Sequence, residues 1–250
     1  MKIIYHEKYL TDYPTASVEQ PERVKTIYET LSPLYPVLGP EPATEADLLL
    51  VHSPELIDRV KQAPSLYEVA TLAAGGAILA AELALQGEPA FATIRPPGHH
   101  ASPFSHWGFC FFNNLALALE RLRVRQLIRQ ALVLDIDLHY GDGTVNAFRD
   151  RSGVTVINIS QKNRDKYLAE VQAILAEPRS FDILAVSAGF DTYQKDWGGL
   201  LLTEDYHQIG QWIKAAARAV GQGRYFAVLE GGYYLPDLGQ NALALVQGLE

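Results

Sequence analysis

One cysteine and one methionine stand in a chain of 250 residues. The single thiol, Cys110, rules out an intrachain disulfide framework and suits a reducing compartment. It equally rules out a cysteine-rich zinc module, so any metal must be held by histidine and carboxylate. Cationic runs are missing as well. Lys and Arg number 21 against 29 Asp and Glu, a formal charge of −8, and no dense basic stretch supplies the footprint of nucleic-acid binding. The start, 1-MKIIYHEKYL-10, turns polar too early for a secretory signal. The longest apolar stretch, 69-VATLAAGGAILAAELALQG-87, contains Glu82 and is dominated by Ala and Gly. That composition suits a helix packed closely on a sheet better than a membrane span. A cytoplasmic location with neither membrane nor nucleic acid as partner is therefore expected.

What is present is a regular alternation. Short β-type runs recur at 2-KIIY-5, 90-AFATI-94, 131-ALVLDID-137, 154-VTVINIS-160, 182-DILAVSAG-189 and 225-YFAVLE-230. Most are continuously apolar, as strands covered on both faces must be. Helical patterns lie between them, at about 20–34, 68–86, 113–129, 165–177, 204–221 and 236–249. Asn113 or Asn114 can cap the third and Thr203 the fifth, and Gly87 suits a left-handed helix end. Strands alternating with helices indicate a mostly parallel α/β sheet. No repeat, low-complexity tract or long linker divides the chain, so residues 1–250 are expected to form one domain.

Chemistry concentrates where strands end. The strands at 90–94, 131–134, 183–186 and 225–229 run into 95-RPPGHHA-101, 135-DIDLHYGDG-143, 187-SAGFD-191 and 230-EGGYY-234. Open parallel sheets bind ligands at the carboxyl ends of their strands, so these four loops should meet on one edge. Buried charge is costly unless paired or metal-bound. Asp137 and His139, with Asp191 from a neighbouring strand end, offer two carboxylates and one imidazole, leaving positions open on a Zn²⁺-like cation. The competing reading is an Asp–His hydrogen-bond cluster that merely fixes loops. His99 and His100 can act as acid, base or ligand, with Asp135 and Asp142 available to orient them. Tyr233 could donate to a developing oxyanion, or simply pack.

As a set, 95-RPPGHHA-101, 108-GFCFFNN-114, 135-DIDLHYGDGT-144, 187-SAGFD-191 and 229-LEGGY-233 resemble the histone deacetylase family, which includes bacterial deacetylase-like amidohydrolases, acetoin-utilisation proteins and acetylpolyamine amidohydrolases. The likeness begins at 18-VEQPERV-24 and runs to the last helix. It implies an arginase-like three-layer α/β/α fold whose mostly parallel sheet has about eight strands, more than the six legible above. It implies that Asp137, His139 and Asp191 ligate one divalent metal, Zn²⁺ foremost, with Fe²⁺, Mn²⁺ or Co²⁺ as alternatives. It pairs His99 with Asp135 and His100 with Asp142, and places Tyr233 at the oxyanion. Gly108 and Phe109 match the floor and one aromatic wall of an acyl-lysine channel, and Gly231 is a further substrate-binding position. A monovalent cation, K⁺ or Na⁺, is implied near Asp135, Asp137 and the backbone around Asn158.

Two segments depart from that pattern. At 58-DRVKQAPSLYEVA-70 the acidic residue that grips a substrate backbone has no counterpart, and 161–182 passes almost directly into a helix where a long loop would carry a second aromatic wall. Trp197 instead stands where the rim would be, and His106 and Trp107 are candidates for the mouth. Cys110 reads as a small buried hydrophobe. Arg95 could pair with a carboxylate, whereas His6, His52 and His207 read as structural or exposed. The expected activity is metal-dependent removal of an acetyl or short acyl group from an amine, whether acyl-lysine, acetylpolyamine or small amide. A catalytically silent acyl-ligand sensor or scaffold is the alternative. A two-manganese ureohydrolase ranks lower, since it needs D-x-H-x-D where this chain has D-x-D-x-H.

Overall fold

A computed structural model describes all residues 1–250. Seven strands form one parallel sheet: β1 (Lys2–Ile4), β2 (Val37–Leu38), β3 (Ala90–Ala92), β4 (Ala131–Asp135), β5 (Val154–Asn158), β6 (Ile183–Ala188) and β7 (Tyr225–Leu229). Their spatial order is β2-β1-β3-β7-β6-β4-β5. The six runs read from sequence all occur. The seventh is the two-residue β2, too short to register as a pattern, and the sheet stops at seven where the resemblance implied about eight. β3, β4, β6 and β7 are buried at every position, which explains their unbroken apolar sequences. β5 is the edge beyond β4 and is the least covered of the longer strands.

Helices cover both faces. On one side α4 (Pro64–Leu85) packs on β1, β3 and β7 and against α5 (Asn114–Val124); on the other lie α1 (Glu22–Leu31), α7 (Arg164–Ala176), α8 (Thr203–Ala219) and α9 (Leu235–Leu249). The short helices α2 (Glu45–Leu48), α3 (Pro54–Lys61) and α6 (Asp142–Phe148) complete the set. Although α4 is long and apolar enough to cross a membrane, 72% of its most apolar window is buried in the protein. Its small residues have a geometric cause. A Cβ on Gly76 would lie 2.7 Å from Ile94 Cγ2 and 2.8 Å from the Tyr9 hydroxyl, so the helix can approach the sheet edge closely where that side chain is absent.

Helix ends follow local chemistry. Asn113 caps α5 by accepting from the Ala116 N–H, and Gly87 ends α4 at φ 80°, both as expected. Thr203 does not cap α8. Leu202 occupies that position, its N–H donating to Asp205 Oδ2 at 2.7 Å, while Thr203 is the first helical residue and donates to Asn241. Between α3 and α4 stand only residues 62 and 63. The segment 58–70, where the gripping acidic residue has no counterpart, is therefore nearly all helix.

Beneath the site lies a buried ionic cluster that ties the N-terminal segment to the strand ends. Glu19, itself fully buried, accepts from Tyr13 (2.7 Å), Arg23 Nη1 (2.9 Å) and Arg95 Nε (3.2 Å). Arg95 also donates to the carbonyls of Tyr9, Thr11 and Glu19, and Arg23 to those of Glu230 and Gly232. Both guanidiniums depend on one carboxylate for charge balance. Removing a single partner of such a set leaves an uncompensated buried charge, a loss typically worth ~3–5 kcal/mol. Glu19→Ala is expected to lower unfolding stability by about that amount, measured by urea denaturation; a change below about 1 kcal/mol would contradict the assignment.

Candidate active site

β3, β7, β6 and β4 are four adjacent strands. The four polar loops at their carboxyl ends therefore converge, and between them opens a cavity of 130 Å³. Its lining includes His99 and His100 from the first loop and Asp137 and His139 from the loop after β4. Gly231 and Tyr233 come from the loop after β7, and Gly108 and Phe109 from the segment before α5.

Asp137, His139 and Asp191 each place one ligand atom within 4.8 Å of the other two. The carboxylates are buried, and His139 is partly open to solvent. His139 Nδ1 lies 3.2 Å from Asp137 Oδ1 and 2.9 Å from Asp191 Oδ2. The second contact is close but not aligned as a hydrogen bond, so Asp191 Oδ2 remains a buried oxygen without a hydrogen-bond partner. Gly231 explains how the carboxylates come together. A Cβ there would sit 2.6 Å from Asp137 Oδ2 and 2.8 Å from Asp191 Oδ2, and its N–H donates to Asp137 Oδ2 at 2.8 Å.

Electrostatics make this cluster a place for a cation. Burial pushes the Asp191 carboxyl up, to about 7, and the charge of Asp137 adds to that. Burial also opposes the charge of Asp137, but His99 and hydrogen bonds from His139 and Gly231 hold it below the usual carboxylate range. The hydrogen bond with Asp137 and the contact with Asp191 raise His139 to about 10. A proton thus does between the carboxylates what a divalent ion would do more completely. An orphaned buried oxygen, two crowded carboxylates and an imidazole fit such an ion.

The paired histidines differ in surroundings. His99 Nδ1 is 3.0 Å from Asp135 Oδ2 and Nε2 is 3.8 Å from Asp137 Oδ1. Burial disfavours its cation, yet Asp137 and Asp135 outweigh burial and raise its pKa well above the ordinary value. His100 Nδ1 is 2.8 Å from Asp142 Oδ1. Burial, with the neighbouring His99, lowers it to about 4. Near neutral pH one ring is cationic and the other neutral, an arrangement that can separate charge stabilisation from proton transfer. Asp142 opens α6, and both its oxygens also accept from Trp107 Nε1 at 3.0 Å.

A collar of rings encloses the cavity. Trp107 lies 3.7 Å from His100, which is 6.0 Å from His139; His139 is 5.9 Å from Trp197, Trp197 is 4.2 Å from Tyr233, and Tyr233 is 5.7 Å from Phe109, all between ring centroids. Trp107 joins this lining; His106 packs on Phe111 outside it. Cys110 is buried beside the cavity floor. His52 is structural, bridging the Ser102 carbonyl and the Asn113 N–H.

Every site residue expected from sequence is at this edge. Reasoning from sequence missed Glu230, Glu19 and Arg23. Glu230 Oε2 accepts from the N–H groups of Gly98 (2.7 Å) and His99 (3.0 Å), holding the histidine loop against β7, and burial raises its carboxyl to about 7. Its position resembles that of Asp135, an acid closing an apolar strand, and the same argument could have found it.

The histone deacetylase domain model matches residues 17–170 and 163–249. The chain belongs to the histone deacetylase family. It is 30% identical to a probable deacetylase of Methanothermobacter thermautotrophicus, covering 100% of this chain and 91% of that protein. It is 28% identical to a histone deacetylase-like amidohydrolase of Pseudomonas aeruginosa, over 93% of this chain and 76% of the other. Human polyamine deacetylase HDAC10 is 27% identical over 99% of this chain, which spans 47% of that longer protein. The alignment with the archaeal relative runs to 306 positions against 250 residues here, so the relative carries segments this family member lacks. The crystal structure of the HDA15 HD domain superposes with a TM-score of 0.87 over 100% of this chain and 90% of that one, at 22% identity. That match concerns the fold.

Metal uptake should release protons, because metal-free His139 and Asp191 retain theirs up to about 10 and about 7. Lowering pH therefore weakens divalent-ion affinity, most clearly as it falls through 7. Calorimetry of Zn²⁺ binding in buffers of different ionisation enthalpy should show this release. Asp191→Ala should lose most bound metal while keeping its helical dichroism. Full metal occupancy in that variant would remove Asp191 from the ligand set.

Proposed function

We propose that this family member hydrolyses the amide of an acetylated, or similarly short-acylated, amine in the cavity bounded by the collar. One observation carries the reading. Asp137 and His139, with Asp191 grouped behind them, share with a neutral His100 and the Tyr233 ring one cavity sized for a short acyl group. Asp137, His139 and Asp191 would hold one divalent ion, Zn²⁺ foremost; the donor set also accepts Fe²⁺, Mn²⁺ or Co²⁺. When bound, that ion supplies Lewis acidity toward water and the acyl oxygen.

The chain's own groups do the rest. His100, oriented by Asp142, takes a proton from the attacking water as its oxygen bonds to the acyl carbon. It returns a proton to the amine nitrogen as the C–N bond breaks, giving a carboxylate and a free amine. His99, held by its hydrogen bond with Asp135, is placed to stabilise negative charge nearby. Tyr233, whose phenol is pushed up by burial and stays protonated, donates to the oxygen on which charge develops. Gly108 and Phe109 provide floor and wall, and Gly231, with its N–H committed to Asp137, shapes the base of the cavity. A K⁺ or Na⁺ ion beside Asp135 belongs to the same reading. Support comes from Ser187, the register partner of Asp135, whose buried hydroxyl has no partner. The single buried thiol supports a reducing, cytoplasmic setting.

Substrate choice follows from what borders the cavity. Helices α3 and α4 nearly abut, and α7 begins six residues after β5 ends, so neither segment extends a loop over the mouth. Binding energy from remote substrate parts needs protein groups to receive it. Small acetylated amines and free acetyl-lysine are therefore expected to react about as well as acetyl-lysine within peptides. A preference above roughly a hundredfold in kcat/KM for one peptide would overturn that expectation. Tyr233→Phe is expected to reduce kcat by ~10²–10³ with a smaller change in KM. A near-wild-type kcat would falsify the donor role. A panel of acetylated lysines, polyamines and simple amides, assayed with several reconstituted metals, tests the activity itself; turnover of none would reject it.

A further inference from the structure

Tyr233 is held by groups for which the proposed hydrolysis has no chemical use. Its N–H and that of Tyr234 both donate to Asp196 Oδ2, at 2.6 and 2.7 Å. Arg23 Cζ stands 4.7 Å from the Tyr233 ring centroid, and the Trp197 indole stacks on the ring with centroids 4.2 Å apart and planes 21° from parallel. Two groups at those distances cannot share one face, so the phenol is sandwiched. Arg23 is fully buried and Trp197 is half exposed, which makes the guanidinium the inner layer and the indole the outer one.

The turn carrying Trp197 is itself fixed. Asp196 Oδ1 accepts from the Trp197 N–H at 2.7 Å, and the Gly198 N–H donates to the Asp191 carbonyl at 2.7 Å. Gly198 leaves no room for a side chain, since a Cβ would fall 2.7 Å from Thr192 Cα. Tyr233, by contrast, follows two glycines, the second at φ 125°. Its hydrogen bonds run through the backbone N–H and carbonyl and none through the hydroxyl, so the ring is located by its faces and its backbone rather than by its tip.

We propose that Trp197 is a positioning residue for Tyr233: the indole restricts the phenol to the orientation in which its hydroxyl points at the substrate oxygen. This rests on the reading that Tyr233 is the donor there. A donor's value falls steeply with misalignment, and a rate scales with the fraction of molecules in the competent conformer. Aromatic stacking is worth about two- to tenfold in such a population. Asp196 supports the same placement through the backbone.

The test is a double-mutant cycle in metal-loaded protein with one acetylated amine. Trp197→Ala should lower kcat about two- to tenfold, with a smaller change in KM, and Trp197→Phe should restore most of the loss. In a Tyr233→Phe background, where no hydroxyl remains to be aimed, Trp197→Ala should cost nothing further. An equal loss with and without the hydroxyl would overturn the proposal, as would a loss confined to KM, because the indole would then act on substrate directly. Metal content is measured for each variant, since the turn also touches Asp191; loss of metal in Trp197→Ala would likewise overturn it. A readout independent of turnover is the ¹⁹F resonance of 3-fluorotyrosine placed at position 233. It should be single in the parent and in Trp197→Phe, and shifted or broadened in Trp197→Ala; an unchanged line counts against the clamp. If Tyr233→Phe alone keeps its rate, the donor reading fails, a result separate from additivity in the cycle.

Discussion

Negative charge concentrated at the ends of three neighbouring strands, β7, β6 and β4, is the constraint around which this protein is built. Asp135, Asp137, Asp191 and Glu230 are all nearly or fully buried. A sheet interior offers such groups no water, so each must find a proton, a cation or a row of amide N–H donors. The chain uses all three. His99 lies between Asp135 and Asp137, His139 between Asp137 and Asp191, and backbone N–H groups of Gly98, His99, Leu138 and Gly231 point at carboxylate oxygens. Two buried carboxylate oxygens still lack a hydrogen bond, Glu230 Oε1 and Asp191 Oδ2, and the second lies in the crowded Asp137–Asp191 pair. The chemistry of the site is this residual imbalance put to use.

The same constraint explains what could be read from sequence. An acid closing an apolar strand is anomalous in one dimension, so Asp135, Asp137 and Asp191 stood out, and the order of strands and helices brought their loops to one edge. Six strands were legible because both-face burial writes a continuous apolar run. β2, with two residues, writes nothing. Glu19 and Arg23 were hidden for a different reason. Before a helix, 19-EQPER-23 looks like ordinary surface polarity, and its burial depends on Arg95, Tyr13 and the carbonyls after β7, all distant in sequence. Thr203 failed as a cap because Asp205 satisfied the helix start from inside.

The rim shows how a family fold tolerates shortening. Without long loops over the mouth, the cavity is still walled, by side chains whose backbones belong to the site itself. Trp107 stacks on the proposed base and bonds its partner Asp142; Trp197 stacks on Tyr233. Wall and machinery are thus mechanically joined. A substitution at the rim of this protein acts on the groups below, where a separate loop would have insulated them.

Strand order carries one more consequence. β7 is the last strand in sequence but lies between β3 and β6, near the middle of the sheet. Until it is inserted, β1–β3 and β4–β6 are separate partial sheets, each exposing an apolar strand edge to solvent. Contacts joining distant parts of a chain form slowly, and such intermediates are prone to associate. On the ribosome, the two halves must wait for more than 220 residues to be made before they can unite. The order of strands along the chain thus makes closure of the sheet a late event, because the strand that joins its two halves is the last one in sequence.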